Sequence, residues 1–148
     1  MDTIDKKILN IIQKDFPVVA EPFKEVAEKV GISEDEVLER IGRLKQEGII
    51  RRIGAVFDTR KLGFVSTLCA AKVPEERLKA FVEVVNSYAG VTHNYRRTHE
   101  YNVWFTFIAP DEETLKKSLA EIRDKTGITD ILSMSSTRTF KIDATFEL

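Results

Sequence analysis

The chain holds a single cysteine, Cys69, so it can form no disulfide of its own. That residue sits in the apolar run Thr67-Leu68-Cys69-Ala70-Ala71 and reads as a small buried hydrophobe rather than a nucleophile. No apolar stretch reaches the ~18 residues that a membrane-spanning helix needs. The N-terminus, Met1-Asp2-Thr3-Ile4-Asp5-Lys6, lacks the charged-then-apolar order of a secretory signal. The expectation is a cytoplasmic protein with no membrane partner. An excess of one charge is also missing. The net charge of -1 provides no whole-molecule field to gather nucleic acid or anionic lipid. Long linkers, low-complexity tracts and repeats are absent. Histidine is scarce: the two present, His93 and His99, fall in one short segment.

What is there suits a packed, folded chain: 43% of the residues are apolar and 32% are charged. The first third is helical in pattern. Ile4, Ile8, Leu9, Ile11 and Ile12 recur at helical spacing, and Asp15-Phe16-Pro17 ends that stripe. A second helix follows Pro22, with Phe23, Val26, Ala27 and Val30 on one face and Gly31 as its stop. A third follows Ser33, which with Glu36 matches a capping box. Val37, Leu38, Ile41 and Leu44 form its inner face, and Gly48 closes it. Two helices joined by Gly31-Ile32-Ser33 make a helix-turn-helix. Ile49-Ile50-Arg51-Arg52-Ile53 reads as a strand, giving the winged form.

The remainder alternates. A strand is expected over Phe64–Val73, a helix over Glu75–Tyr88, and two strands over Val91–Arg97 and Tyr101–Ile108. A helix over Asp111–Lys125 and a strand over Ile131–Ile142 complete it. That order, β-α-β-β-α-β, is ferredoxin-like. The fold class is therefore α+β, with a winged helix-turn-helix over residues 1–60 and a ferredoxin-like domain over 61–148. Two helices cover one face of such a sheet. The other face needs cover from a second sheet, so a dimer is expected.

This architecture resembles the Lrp/AsnC regulators along nearly the whole chain. A narrower resemblance lies in Gly90-Val91-Thr92-His93-Asn94-Tyr95-Arg96-Arg97-Thr98-His99-Glu100-Tyr101-Asn102-Val103-Trp104-Phe105-Thr106. This stretch resembles the siroheme decarboxylases, in their alpha-type form. Asp15-Phe16-Pro17 with Pro22-Phe23, Ile50-Arg51-Arg52-Ile53-Gly54-Ala55 and Leu62-Gly63-Phe64 fit the same family. The resemblance implies a carboxy-lyase that removes CO2 from two acetate arms of siroheme, giving 12,18-didecarboxysiroheme for the alternative haem or haem d1 route. It implies a heterodimer with a related beta-type subunit, and no cofactor beyond the iron tetrapyrrole substrate. In Lrp-like regulators the same hairpin holds a small effector with a glycine near the turn. His99 stands close to that position here.

The residues fit a polyanionic iron macrocycle. Arginine grips carboxylates in two places, which suits Arg96 and Arg97, with Arg51 and Arg52 as further candidates. Tyr101 and Trp104 can line a flat ring, and Asn102 can hydrogen-bond it. Loss of CO2 leaves a carbanion that the macrocycle delocalises and a general acid must protonate. His93, His99 and Tyr95 are the catalytic candidates. Either His93 or His99 is a candidate ligand of the siroheme iron, and the sequence does not divide these roles. On strands, His93, Tyr95 and Arg97 share one face, while Asn94 and Arg96 share the other.

The competing reading is a DNA-binding regulator of the Lrp/AsnC type. Its reading helix would start with Glu34-Asp35-Glu36, three acids where DNA phosphates would lie. Through residue 60 there are twelve acids against eleven bases, so no basic domain exists. The sequence therefore points away from nucleic acid as a partner.

Overall fold

The computed structural model describes residues 1–141 and 145–148. The chain divides into two compact units: Met1–Ala55 together with the described residues from Lys141 onward, and Val56–Phe140.

The first unit holds α1 (Thr3–Lys14), α2 (Pro22–Val30) and α3 (Glu34–Gln46). Each starts and stops for a local reason. Asp2 and Asp5 form a reciprocal capping box at the start of α1, and Asp15 ends it two residues before Pro17. Pro22 occupies the first turn of α2, and Gly31 leaves it at φ 82°, a conformation that suits glycine. Ser33 caps α3 by accepting the Glu36 N–H at 3.2 Å. The second half of the expected box does not form, because the Glu36 carboxylate accepts from Arg40 instead. Ile8, Val26, Val37 and Leu44 are fully buried where the three helices meet.

The expected strand Ile49–Ile53 is absent. After Gly48 the N–H groups of Ile49 and Ile50 both donate to the Leu44 carbonyl, drawing the Ile50 side chain into the core. A strand needs a ladder partner, and none of the described residues pairs with this segment. The side chain of Gln13 instead holds the C-terminal residues. It donates to the Phe146 carbonyl and accepts the Phe146 N–H.

Among the described residues of this unit, Asp5 is the one buried charge, at 1% exposure. It receives Arg43 on both oxygens at 2.8 Å and Arg40 at 2.9 Å. Burial pushes its carboxyl upward, but these hydrogen bonds and that from the Asp2 box outweigh it and hold the group well below the usual carboxylate range.

The second unit holds β1 (Val65–Ala71), a 3-10 turn (Glu75–Arg77), α4 (Leu78–Asn86), β2 (Val91–Arg96), β3 (Val103–Ala109), α5 (Glu112–Thr126) and β4 (Ile131–Ser135). All pairings are antiparallel in the order β2-β3-β1-β4, which is the ferredoxin-like topology. β4 ends at Ser135, short of the expected Ile142. Residues 136–141 leave the ladder, and Ile142 lies outside the described residues. Alternation along β3 is strict: Val103, Phe105, Phe107 and Ala109 are buried against Phe81 and Val85 of α4 and Leu115, Leu119 and Ile122 of α5. Gly90 opens β2 where a Cβ would overlap the Ile108 carbonyl and the Phe107 ring. Among the described residues no helix is long and apolar enough to cross a membrane.

Removing the Asp5 carboxylate strands two cations, so Asp5→Ala is expected to destabilise the first unit. The cost is about 2–3 kcal/mol, below that of a fully dry pair because both guanidinium groups reach solvent; denaturant melts measure it. The folded pKa is depressed, so the Asp5 contribution is present above the ordinary carboxylate value of ~3.9 and is lost as pH falls below it. Acid titration should show the wild-type protein losing this increment while Asp5→Ala does not.

Candidate functional site

The β2–β3 hairpin carries both imidazoles. Its register contains one irregularity: Val91 pairs with Phe107, whereas His93 pairs with Thr106, Asn94 with Phe105, Tyr95 with Trp104 and Arg96 with Val103. Val91 thus faces the helices, and the extra residue turns His93 and Tyr95 to the opposite, helix-free face. There the His93 and Tyr95 rings stack with centroids 6.1 Å apart, and Tyr95 lies opposite Trp104. Arg97 places its guanidinium 5.5 Å from the Trp104 ring centre. His93, Tyr95, Trp104 and Arg97 therefore form one aromatic and cationic band.

Asn94 and Arg96 turn the other way. Asn94 donates to Asn86 at 2.9 Å, and Arg96 pairs with Glu75 at 2.8 Å with both side chains exposed. This pair is exposed and screened by water.

The turn is held from several sides. Tyr101 donates its hydroxyl to Asp130 at 2.9 Å, which pushes the phenol pKa upward. Lys72 pairs with Glu100 at 3.1 Å. The Tyr101 N–H donates to Nδ1 of His99 at 3.1 Å, and the two rings stack. Trp104 donates its indole N–H to the Tyr101 carbonyl at 2.7 Å. Asn102 uses both ends of its amide on Val73, accepting its N–H and donating to its carbonyl. These two bonds fix the hairpin against the end of β1. Asp130 joins the site with no signal in the sequence. Asp130 lies 29 residues from Tyr101, a separation that no local pattern bridges.

Two open hollows flank the turn. One of about 460 Å³ is lined by Arg96, Arg97, Thr98, His99 and Asn102. The other, of about 570 Å³, exchanges Asn102 for Trp104. Arg51 and Arg52 belong to the first unit, where they line a larger cavity of about 810 Å³ walled by Leu9, Ile12, Phe16, Val18, Ile49 and Ile53. Despite its size, that cavity has hydrocarbon walls and no imidazole. Both imidazoles sit on the hairpin, which is the candidate site.

The free sheet face also exposes Leu68, Leu132 and Met134, each by about two-fifths. Two of the three cations of α3 are engaged, Arg40 with Asp2, Asp5 and Glu36, and Arg43 with Asp5 and Glu47, while Lys45 stays exposed. A duplex would have to compete with these carboxylates for them.

Comparison with known proteins follows the two units. A siroheme decarboxylase NirDL-like HTH domain matches residues 5–51. An AsnC-like ligand binding domain matches residues 61–141. The siroheme decarboxylase alpha subunit of Oleidesulfovibrio alaskensis is 51% identical over 148 residues, covering all of this chain and 90% of that protein. The alpha subunit of Desulfovibrio desulfuricans is 49% identical, covering all of this chain and 85% of that one. A crystal structure of the siroheme decarboxylase NirDL in co-complex with an iron-uroporphyrin III analogue superposes with TM-score 0.69 at 38% identity. It covers 95% of this chain, which spans about half (48%) of that one. The regulator AsnC of E. coli, at 18% identity, TM-score 0.81 and 99% coverage of its chain, shares the fold alone.

Cys69 lies fully buried, and burial pushes its thiol up to about 12. A thiol reagent at pH 8 is therefore expected to leave the native protein unlabelled and to modify it stoichiometrically in denaturant. Rapid native labelling would contradict the packing of β1.

Proposed function

The chain belongs to the siroheme decarboxylase family, and from that premise we propose that it is the alpha-type subunit of a heteromeric siroheme decarboxylase, acting with a related beta-type chain. The observation that carries this reading is the band His93, Tyr95, Trp104 and Arg97 on the helix-free face, continued by Arg96 and His99 at the turn. It supplies what an iron tetrapyrrole with a carboxylate rim requires. Trp104 and Tyr95 offer a flat wall. Arg97 and Arg96 offer planar cationic forks. His93, His99 and Tyr95 offer transferable protons or, for an imidazole, a ligand to the substrate's iron. Tyr101 supports the turn with its hydroxyl held by Asp130.

The macrocycle is the electron sink, so the reaction calls for no further cofactor. Each turnover of an acetate arm releases CO2 and leaves a methyl group. Water next to the nascent carbanion would compete with the enzyme's own acid, so cover over the exposed face serves the chemistry as well as the apolar surface of Leu68, Leu132 and Met134. A partner's sheet provides such cover. Arg51 and Arg52 are further candidates for rim carboxylates because they line a cavity whose walls are otherwise largely apolar.

The regulator alternative has the fold in its favour. The acid-led start of α3 and the engagement of Arg40 and Arg43 with carboxylates oppose it.

Anaerobic incubation of siroheme with this chain and its beta-type partner is expected to yield the product lighter by two CO2, read by mass spectrometry. A folded, assembled pair that shifts no mass refutes the reading, and salt-dependent binding of specific DNA at submicromolar protein would establish the regulator. Arg97→Ala removes a charged fork and a ring contact. It should weaken siroheme binding about tenfold or more, followed by the absorbance of the complex.

A further inference from the structure

Asp130 stands immediately before β4, where the backbone is fixed from both sides. Its carbonyl accepts the Lys72 N–H at 3.1 Å. The next residue, Ile131, pairs with Ala71, is buried in the core and accepts Arg123 on its carbonyl at 2.9 Å. From this fixed point the Asp130 carboxylate accepts the Tyr101 hydroxyl at 2.9 Å. A carboxylate acceptor makes the bond charge-assisted. Tyr101 belongs to the turn of the hairpin, which closes with the Arg97 N–H on the Asn102 carbonyl at 2.8 Å. The connection continues beyond it. The Tyr101 carbonyl accepts the Trp104 indole N–H at 2.7 Å, and the Arg97 guanidinium lies over the Trp104 ring, 5.5 Å from its centre. An indole has a single donor, so this bond selects how the ring is turned. A guanidinium over a ring face still has an N–H edge to offer a carboxylate.

We infer that Asp130 is a positioning residue of the tetrapyrrole site: through Tyr101 and Trp104 it sets where the Arg97 guanidinium meets a carboxylate of the macrocycle rim. This deepens the decarboxylase reading given above and rests on it. The ladder between β2 and β3 ends at Arg96 and Val103, so the pleat does not fix residues 98–101. Side-chain bonds must do so. Glu100 and Asn102 are tied to Lys72 and Val73 at the end of β1, whereas Tyr101 is tied to the start of β4. The Asp130 bond acts on the residue whose carbonyl holds the indole. Without it the Tyr101 side chain swings free, its carbonyl loses a fixed direction, and the ring beneath Arg97 turns with it. A cation held in place before substrate arrives spends less of the binding free energy on being ordered. The contact concerns the rim and not the carbon that loses CO2, so Asp130 acts on binding more than on turnover.

Trp104 is the single tryptophan of the chain, so its fluorescence reports this connection directly. In the full-length chain, Asp130→Ala is expected to move the emission to longer wavelength and to raise its quenching by acrylamide, with unchanged far-ultraviolet circular dichroism. Tyr101→Phe, which removes the same bond from the other end, should reproduce both changes. Asp130→Ala should also weaken siroheme binding about three- to tenfold, followed by the absorbance of the complex. Wild-type emission or wild-type affinity in Asp130→Ala overturns the inference. Asp130→Asn keeps an oxygen that accepts from the Tyr101 hydroxyl and should restore both signals; failure to do so overturns the hydrogen-bonded route. Added to Arg97→Ala, Asp130→Ala should weaken binding by less than about twofold more, because the two act along one path. A fully additive loss marks a general structural effect and overturns the inference. In the reconstituted pair Asp130→Ala should raise KM about three- to tenfold and leave kcat within about twofold, and the opposite split counts against it. If the wild-type pair does not decarboxylate siroheme, the functional reading fails, while the emission of the Asp130 variants still decides whether Asp130 positions Trp104.

Discussion

Val91 pairs with Phe107 and His93 with Thr106, so β2 accommodates one extra residue before the histidine. Side chains alternate along a strand with period two, and without that insertion His93 would follow Val91 toward the helices. Beyond the irregularity every alternate residue changes face. His93 and Tyr95 reach the open side, where Trp104 and Arg97 stand, and Asn94 and Arg96 reach the helix side. The strict burial of Val103, Phe105, Phe107 and Ala109 fixes β3 as the reference for this register. The core of the second unit thus sets where its chemistry is displayed.

The turn beyond these strands depends on contacts distant in sequence. Asn102 clamps the end of β1 through Val73, Tyr101 reaches Asp130, and Lys72 reaches Glu100. An eight-stranded surface formed by two such sheets would bury the exposed apolar residues beside the site. The same face that displays an imidazole and an indole also displays Leu68 and Met134.

The first unit applies a similar economy to charge. A buried carboxylate, Asp5, needs cations, and α3 supplies Arg40 and Arg43. These are positions from which a helix-turn-helix protein would reach phosphates. Turned toward Asp5, they stabilise the unit.

The helix boundaries at Asp15, Gly31 and Ser33, the β-α-β-β-α-β order and the burial of Cys69 were legible in the sequence, because caps, proline, glycine and hydrophobic period act over a few residues. So was the concentration of His93, Arg96, Arg97, His99 and Trp104 in one hairpin, since they are neighbours along the chain. The missing strand at Ile49–Ile53, the early end of β4 at Ser135 and the half-formed box at Ser33 were not. Each turns on a partner elsewhere: a ladder strand, or Arg40 drawing Glu36 away. The sequence placed both histidines on one hairpin and left their roles equal. Only the tertiary structure gave them different neighbours, because Nδ1 of His99 meets the Tyr101 peptide N–H and Nδ1 of His93 meets the Thr92 hydroxyl.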